Sequence, residues 1–161
     1  MGKDGAYAKG SHFTSIKGIR PWADGDPDKF AEIVRGKAHG YTPAMMSDTA
    51  LKKLVPFVTK GQIDMDKFID RKSKKAKGDI RRSAGLYQTI CSICHGVNGK
   101  TINFKTPPRA EYIGTVAAGN PSETLHKIRN RQPGVSMVAL SGLSVQDQVD
   151  ILAYAKTLPV K

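Results

Sequence analysis

The feature that most restricts this chain is one pentapeptide, Cys91-Ser92-Ile93-Cys94-His95, which holds both cysteines of its 161 residues. Two cysteines placed at random fall three apart in roughly 1% of arrangements, and requiring a histidine next lowers the chance to about three in ten thousand. Coincidence is therefore a poor explanation, and the spacing asks for a chemical one. Two cysteines cannot build a disulfide scaffold, so stability must come from a buried core. A length of 161 residues with 39% apolar content allows that.

Periodicity predicts an all-α chain. Asp26 followed by Pro27 is a cap-and-proline start, and Phe30, Ile33 and Val34 extend it into a helix near 27–37. Ser47 or Asp48 opens a second helix with Leu51, Leu54, Val55 and Val58 on its apolar face. Pro56 is expected to kink that helix or end it early. A short turn is expected at 64–70. Ile80, Ala84, Tyr87, Ile90, Cys91 and Cys94 mark a helix of about four turns that ends at His95-Gly96. Residues 97–120, with Pro107 and Pro108, read as one long irregular loop, uncommon in a compact domain unless it wraps something.

Asn120-Pro121 repeats the cap-and-proline start for a helix near 121–131 carrying Leu125 and Ile128. Ser144 opens a last helix, buried through Val145, Val149, Ile151, Leu152 and Tyr154, which Pro159 stops. Nothing alternates with period two for long, and no apolar run approaches the ~18–20 residues of a membrane span. The expected organisation is an extended arm over 1–24 pinned by Phe13, Ile16, Ile19 and Trp22, a helical module over 25–78 ending in a basic linker, and a domain over 79–161 built on the pentapeptide.

In an all-α setting the pentapeptide has few uses. A thioredoxin-like redox pair needs a βαβ context. A structural zinc site needs a second ligand pair, and His12, His39 and His126 are scattered. A buried disulfide or inert thiols fit the spacing poorly. The C-x-x-C-H pattern matches covalent haem attachment. Thiols one helical turn apart reach the two vinyl groups of one haem, and the following histidine lies under the iron as its proximal ligand. The expected cofactor is one haem c, bound through Cys91 and Cys94 and ligated by His95.

Leu86-Tyr87, Cys91-x-x-Cys94-His95-Gly96, a loop bearing glycine and proline, a helix, a methionine loop, and then the run from Asp150 to Pro159 follow one another over 79–161. This order closely resembles the class I c-type cytochromes, whose fold wraps around one covalent haem. The resemblance implies that the attachment helix crosses the last helix, with Gly85 and Tyr87 meeting Ile151 and Tyr154. Gly85 would supply the small residue of a close crossing. It also implies a thioether as sixth ligand. The candidate is Met137 in the loop 132–140, although Val138 stands where the family commonly has proline; His126 is the fallback. Pro107 or Pro108 resembles the family proline whose carbonyl accepts the N–H of the proximal histidine.

The first half carries a weaker echo of this order. Asp26-Pro27 parallels Asn120-Pro121, and Met45-Met46 precedes the Ser47 helix much as Met137 precedes the Ser144 helix. Residues 25–70 read either as a haemless remnant or half of a second such module or as an unrelated helical extension packed on the haem domain, with Met45 and Met46 in the core in both cases. An approach of Met45, Met46 or His39 to a haem, one in a partner subunit included, stays open. Charge is concentrated between the modules. Arg71 to Arg82 holds seven positive residues and one negative, half of the net +12. That run reads as a solvated linker or a docking patch, with Lys127, Arg129 and Arg131 as further docking charges.

The functional expectation is electron transfer rather than enzymatic catalysis, with no catalytic residue assigned. The chain would be a periplasmic carrier or a subunit of a larger oxidoreductase, its signal peptide removed and its partner an acidic redox protein. Neither nucleic acid nor a membrane span belongs to that picture. The alternative is a haem enzyme or gas sensor with a vacant sixth position.

Overall fold

Short polar residues write the helix starts of this chain. The computed structural model describes residues 22, 24–37 and 39–160, so most of the arm expected over 1–24 lies outside the described residues. The Asp26 carboxylate accepts the N–H groups of Asp28 and Lys29 at 2.9 and 3.3 Å and opens α1 (Pro27–Arg35). Ser47 accepts from Ala50 at 3.2 Å and opens α2 (Asp48–Lys60). Pro56 does not end α2 early. Leu51 before it and Val58 after it are both buried, so packing carries the helix through the missing donor. The Thr59 hydroxyl donates to the Val55 carbonyl at 2.9 Å beside the break.

The chain forms two compact units, the first ending at Ile63 and the second beginning at Asp64. In the first, Phe30, Val34, Leu51 and Val58 form a core against which Trp22, Tyr41 and Met46 pack. Trp22 sets its ring edge-on to Phe30 with centroids 5.6 Å apart, the anchoring expected of it. Met45, expected in this core, is 69% exposed. The amides of Met45 and Met46 both donate to the Thr42 carbonyl, and the tight turn sends one methionine outward and the other in.

The boundary moves the basic run into the second unit. After α3 (Met65–Phe68), Ile69 and Ala76 form an isolated antiparallel bridge, and both are buried. Asp70 N–H donates to the Lys75 carbonyl at 2.9 Å, Lys77 N–H to Phe68 at 2.8 Å, and the Asp70 carboxylate accepts the Ser73 amide and hydroxyl, each at 2.6 Å. The expected linker is thus a closed hairpin. Its charges divide by role: Arg71 pairs with Asp66, Arg82 with Asp147, and Lys74 donates to the Gly119 carbonyl at 2.7 Å. Lys72, Lys75, Lys77 and Arg81 face solvent.

The second unit is built around α8 (Val145–Ala155), capped by Ser144 and buried on nearly every side. Around it lie α4 (Ile80–Leu86), α6 (Ile113–Gly119) and α7 (Pro121–Asn130). Tyr87, Ala117, Leu125, Val149, Ile151, Leu152 and Ala155 are the fully enclosed apolar residues. Helix α6 lies inside the stretch expected to be loop, which shortens the irregular segment to 96–112. Among the described residues all regular structure is helical and no helix is long and apolar enough to cross a membrane.

The close approach expected at Gly85 occurs elsewhere. A Cβ on Gly85 would meet nothing within 4 Å, and the residue is exposed. At Gly78 a Cβ would fall 2.5 Å from the Val149 carbonyl oxygen and 2.8 Å from the Asp150 Cα. The chain therefore touches α8 just before α4 begins. There the buried Asp150 carboxylate accepts the Asp79 N–H at 2.9 Å. Since Gly85 occupies a helix interior with open space around it, Gly85→Ala should raise stability by about 0.5–1 kcal/mol. Urea denaturation measures the gain, and a loss would show that the following turn needs glycine.

Candidate functional site

The pentapeptide ends a single continuous helical run. Helix α4 passes into a π-helical turn, Tyr87–Cys91, and then into α5 (Ser92–His95). The sequence predicted a regular helix here; the wider turn, closed by the Ser92 N–H on the Tyr87 carbonyl, is additional. The Thr89 hydroxyl donates to Gly85 at 2.8 Å and the Ser92 hydroxyl to Gln88 at 2.5 Å, reinforcing it. Single π turns of this kind recur at functional sites.

Tyr87 locks the run to α8. Its ring is wholly buried, 5.0 Å from that of Tyr154, and its hydroxyl donates to the Gly96 carbonyl at 3.2 Å. Burial pushes the phenol well up, so it remains a donor. Gln88 donates to the Tyr154 hydroxyl at 2.9 Å and to the Val97 carbonyl at 3.3 Å. The two residues after His95 are therefore fixed from behind. Gly96 has φ +78°, which a glycine adopts at no steric cost, and the Thr101 N–H returns to the His95 carbonyl at 3.0 Å.

The three reactive side chains differ in environment. Cys91 is half-buried, Cys94 exposed, and neither is in a disulfide. Burial, then the neighbouring Cys94, pushes the Cys91 thiol up to about 11. A position at the C-terminal end of a helix is also the wrong pole for a thiolate. Burial pushes the His95 imidazole down, which favours the neutral ring, the form that binds a metal. Its Nδ1 is buried and has no hydrogen-bond partner.

That orphan atom corrects one expectation. Neither Pro107 nor Pro108 offers its carbonyl to His95, and both prolines are exposed. Asn103 closes their loop on itself. Its Oδ1 accepts the Lys105 and Glu111 amides at 3.0 and 2.9 Å, and its Nδ2 donates to the Arg109 carbonyl at 2.9 Å. What reaches His95 instead is Phe104, edge-on with centroids 6.0 Å apart.

Met137 is half-buried on the loop between α7 and α8, flanked by exposed Val135 and Val138. Among the described residues, none of the hydrogen bonds or ring contacts around the pentapeptide extends to it. His126 is exposed on α7 with its Nδ1 3.2 Å from the Asn130 amide, which suits a surface residue. In the first unit, His39 stacks on Tyr41 with centroids 6.2 Å apart. Sequence reasoning missed two buried polar residues of α8, Gln148 and Asp150. Gln148 lies three and four residues before Ile151 and Leu152, on the apolar stripe, and a polar residue there is itself a signal.

The residues present fit a covalent haem. The thiols stand one turn apart on a rigid helix end, beside a neutral imidazole with an unpartnered Nδ1. Ile93, Val97 and Phe104 are 80, 69 and 42% exposed on the same segment, an apolar surface that a flat macrocycle would cover. No group of three or more His, Cys, Asp or Glu is assembled among the described residues, as a protein-only zinc site would require. No family model, curated protein or solved structure matches the chain.

Proposed function

We propose that this chain is an electron-transfer protein of the class I c-type cytochrome kind, with one haem bound through Cys91 and Cys94. His95 would be the proximal ligand and Met137 the sixth. The observation that carries the reading is the helix end itself, where two free thiols stand one turn apart, Cys91 half-buried and Cys94 exposed, and a half-buried imidazole with an unpartnered Nδ1 follows them. A dithiol redox pair would need its first thiol pushed down, whereas burial pushes Cys91 up. A haem held by imidazole and thioether supplies single-electron transfer, with no coordination position open to a substrate.

The protein's own residues have separable tasks. Cys91 and Cys94 tether, His95 ligates, and Tyr87 and Gln88 hold the backbone behind it. Ile93, Val97 and Phe104 exclude water. The outward cations Lys72, Lys75, Lys77 and Arg81 provide a surface for an acidic redox protein, whose association should weaken as salt rises. The first unit, which has no attachment pentapeptide, fits a haemless relative of the second. Asp26-Pro27 and Ser47 open its helices as Asn120-Pro121 and Ser144 open α7 and α8. A periplasmic location follows from covalent attachment, which takes place outside the bacterial cytoplasm.

Carbon monoxide tests the ligand set. The anaerobically reduced full chain, produced with a haem-attachment system, is expected to bind carbon monoxide slowly and incompletely. Rapid stoichiometric binding would instead give a vacant sixth position and a sensor or enzyme.

A further inference from the structure

Met137 lies on a stretch of chain tied down at its two ends. Upstream, the Arg131 N–H closes α7 on the Lys127 carbonyl at 2.8 Å. Downstream, Leu140 is held on both sides of its peptide. Its N–H donates to the Ile128 carbonyl of α7 at 3.0 Å, and its own carbonyl accepts the Gln148 side chain at 3.0 Å. The same Gln148 Nε2 donates to the Leu143 carbonyl at 2.8 Å, while the Leu143 N–H returns to Leu140 at 3.0 Å. One fully buried amide on α8 thus closes the turn that follows the methionine.

We infer that Gln148 is the positioning residue for Met137, holding the loop so that the thioether stays within reach of the haem iron. The inference rests on the proposed ligand set. Met137 is three residues from the Leu140 anchor and six from the Arg131 anchor, so the downstream tie sets how far its sulfur can stray. Between the anchors the segment 132–139 makes no backbone hydrogen bond to the helices. Leu140 is bonded to both α7 and α8, so without the amide its bond to Ile128 is the one that still ties it to a helix, and the Leu143 N–H on its carbonyl holds it only to its own turn. A buried amide on an otherwise apolar stripe needs partners, and these carbonyls are the ones it has.

Gln148→Met keeps the shape and removes the donor. In the oxidised holoprotein the weak red charge-transfer band of an iron–thioether bond should fade or become labile. Carbon monoxide uptake by the reduced form should quicken at least tenfold, because uptake follows the fraction of time Met137 is off the iron. Amide exchange at Leu140 and Leu143 should also quicken, with or without haem. Asp150→Asn is the matched control: it lies on the same helix, and its carboxylate serves Asp79 and Gln146 rather than the loop. It should lower stability and leave band, uptake and loop exchange unchanged. If the Met variant fails to fold, Gln148→Asn, one methylene too short to reach both carbonyls, replaces it. A wild type lacking the band overturns both the ligand set and this inference. A wild type that has it, beside a Gln148 variant with unaltered uptake and exchange, overturns the inference alone.

Discussion

With both Cys91 and Cys94 replaced by alanine, the chain is expected to emerge from a haem-attaching host without bound haem, whereas the wild type should gain the mass of one. The effect is all or none because no other cysteine exists to form a thioether. Each single variant should retain one link, with Cys94→Ala the milder lesion: Cys91, half-buried on the π turn, holds its position more firmly than exposed Cys94. Denaturation followed by mass spectrometry separates attached from merely trapped haem. The opposite result is equally concrete. A wild type isolated without haem, its two thiols cycling reversibly between dithiol and disulfide, would make the pentapeptide a redox pair. The Cys91 thiol, pushed up rather than down, argues for the first outcome.

What the residues revealed by themselves, and what they hid, divides by the range of the interaction. Asp26, Ser47, Asn120 and Ser144 cap helices through bonds that span two or three residues, so those starts could be read directly. Helix α6 could not. Ile-Gly-Thr-Val-Ala-Ala-Gly is a poor helix former by composition. What stabilises it is distant: Lys156 and Lys74 donate to the carbonyls of Ala117 and Gly119 at its C-terminal end, at 3.2 and 2.7 Å. The basic hairpin was hidden for the same reason, since the Ile69–Ala76 bridge is invisible in a count of charges. At the site, the pentapeptide and Tyr87 were legible because their spacing is chemical. The unpartnered Nδ1 of His95 was not, because it depends on Asn103 holding the proline loop to itself.

Gly114 should show how tightly that long-range packing is drawn. A Cβ there would lie 2.6 Å from the Leu158 carbonyl oxygen and closer still to that of Pro159, so Gly114→Ala drives a methyl into two backbone oxygens rather than into a pliable side chain. The terminal segment has little freedom to retreat. Leu158 is buried, close to where a Cβ on Gly99 would fall, and the Thr115 hydroxyl donates to the Val160 carbonyl. Overpacking against fixed backbone costs about 3 kcal/mol, at the upper end of such substitutions. That is a large share of the roughly 5–15 kcal/mol that holds a domain folded. The gain in helix propensity from glycine to alanine, about 1 kcal/mol, is too small to offset it. The urea midpoint of Gly114→Ala should therefore fall well below wild type, while that of Gly85→Ala rises. A loss under about 1 kcal/mol at Gly114 would mean that the tail yields, and that α6 is held by its two lysines more than by its packing on the terminal segment.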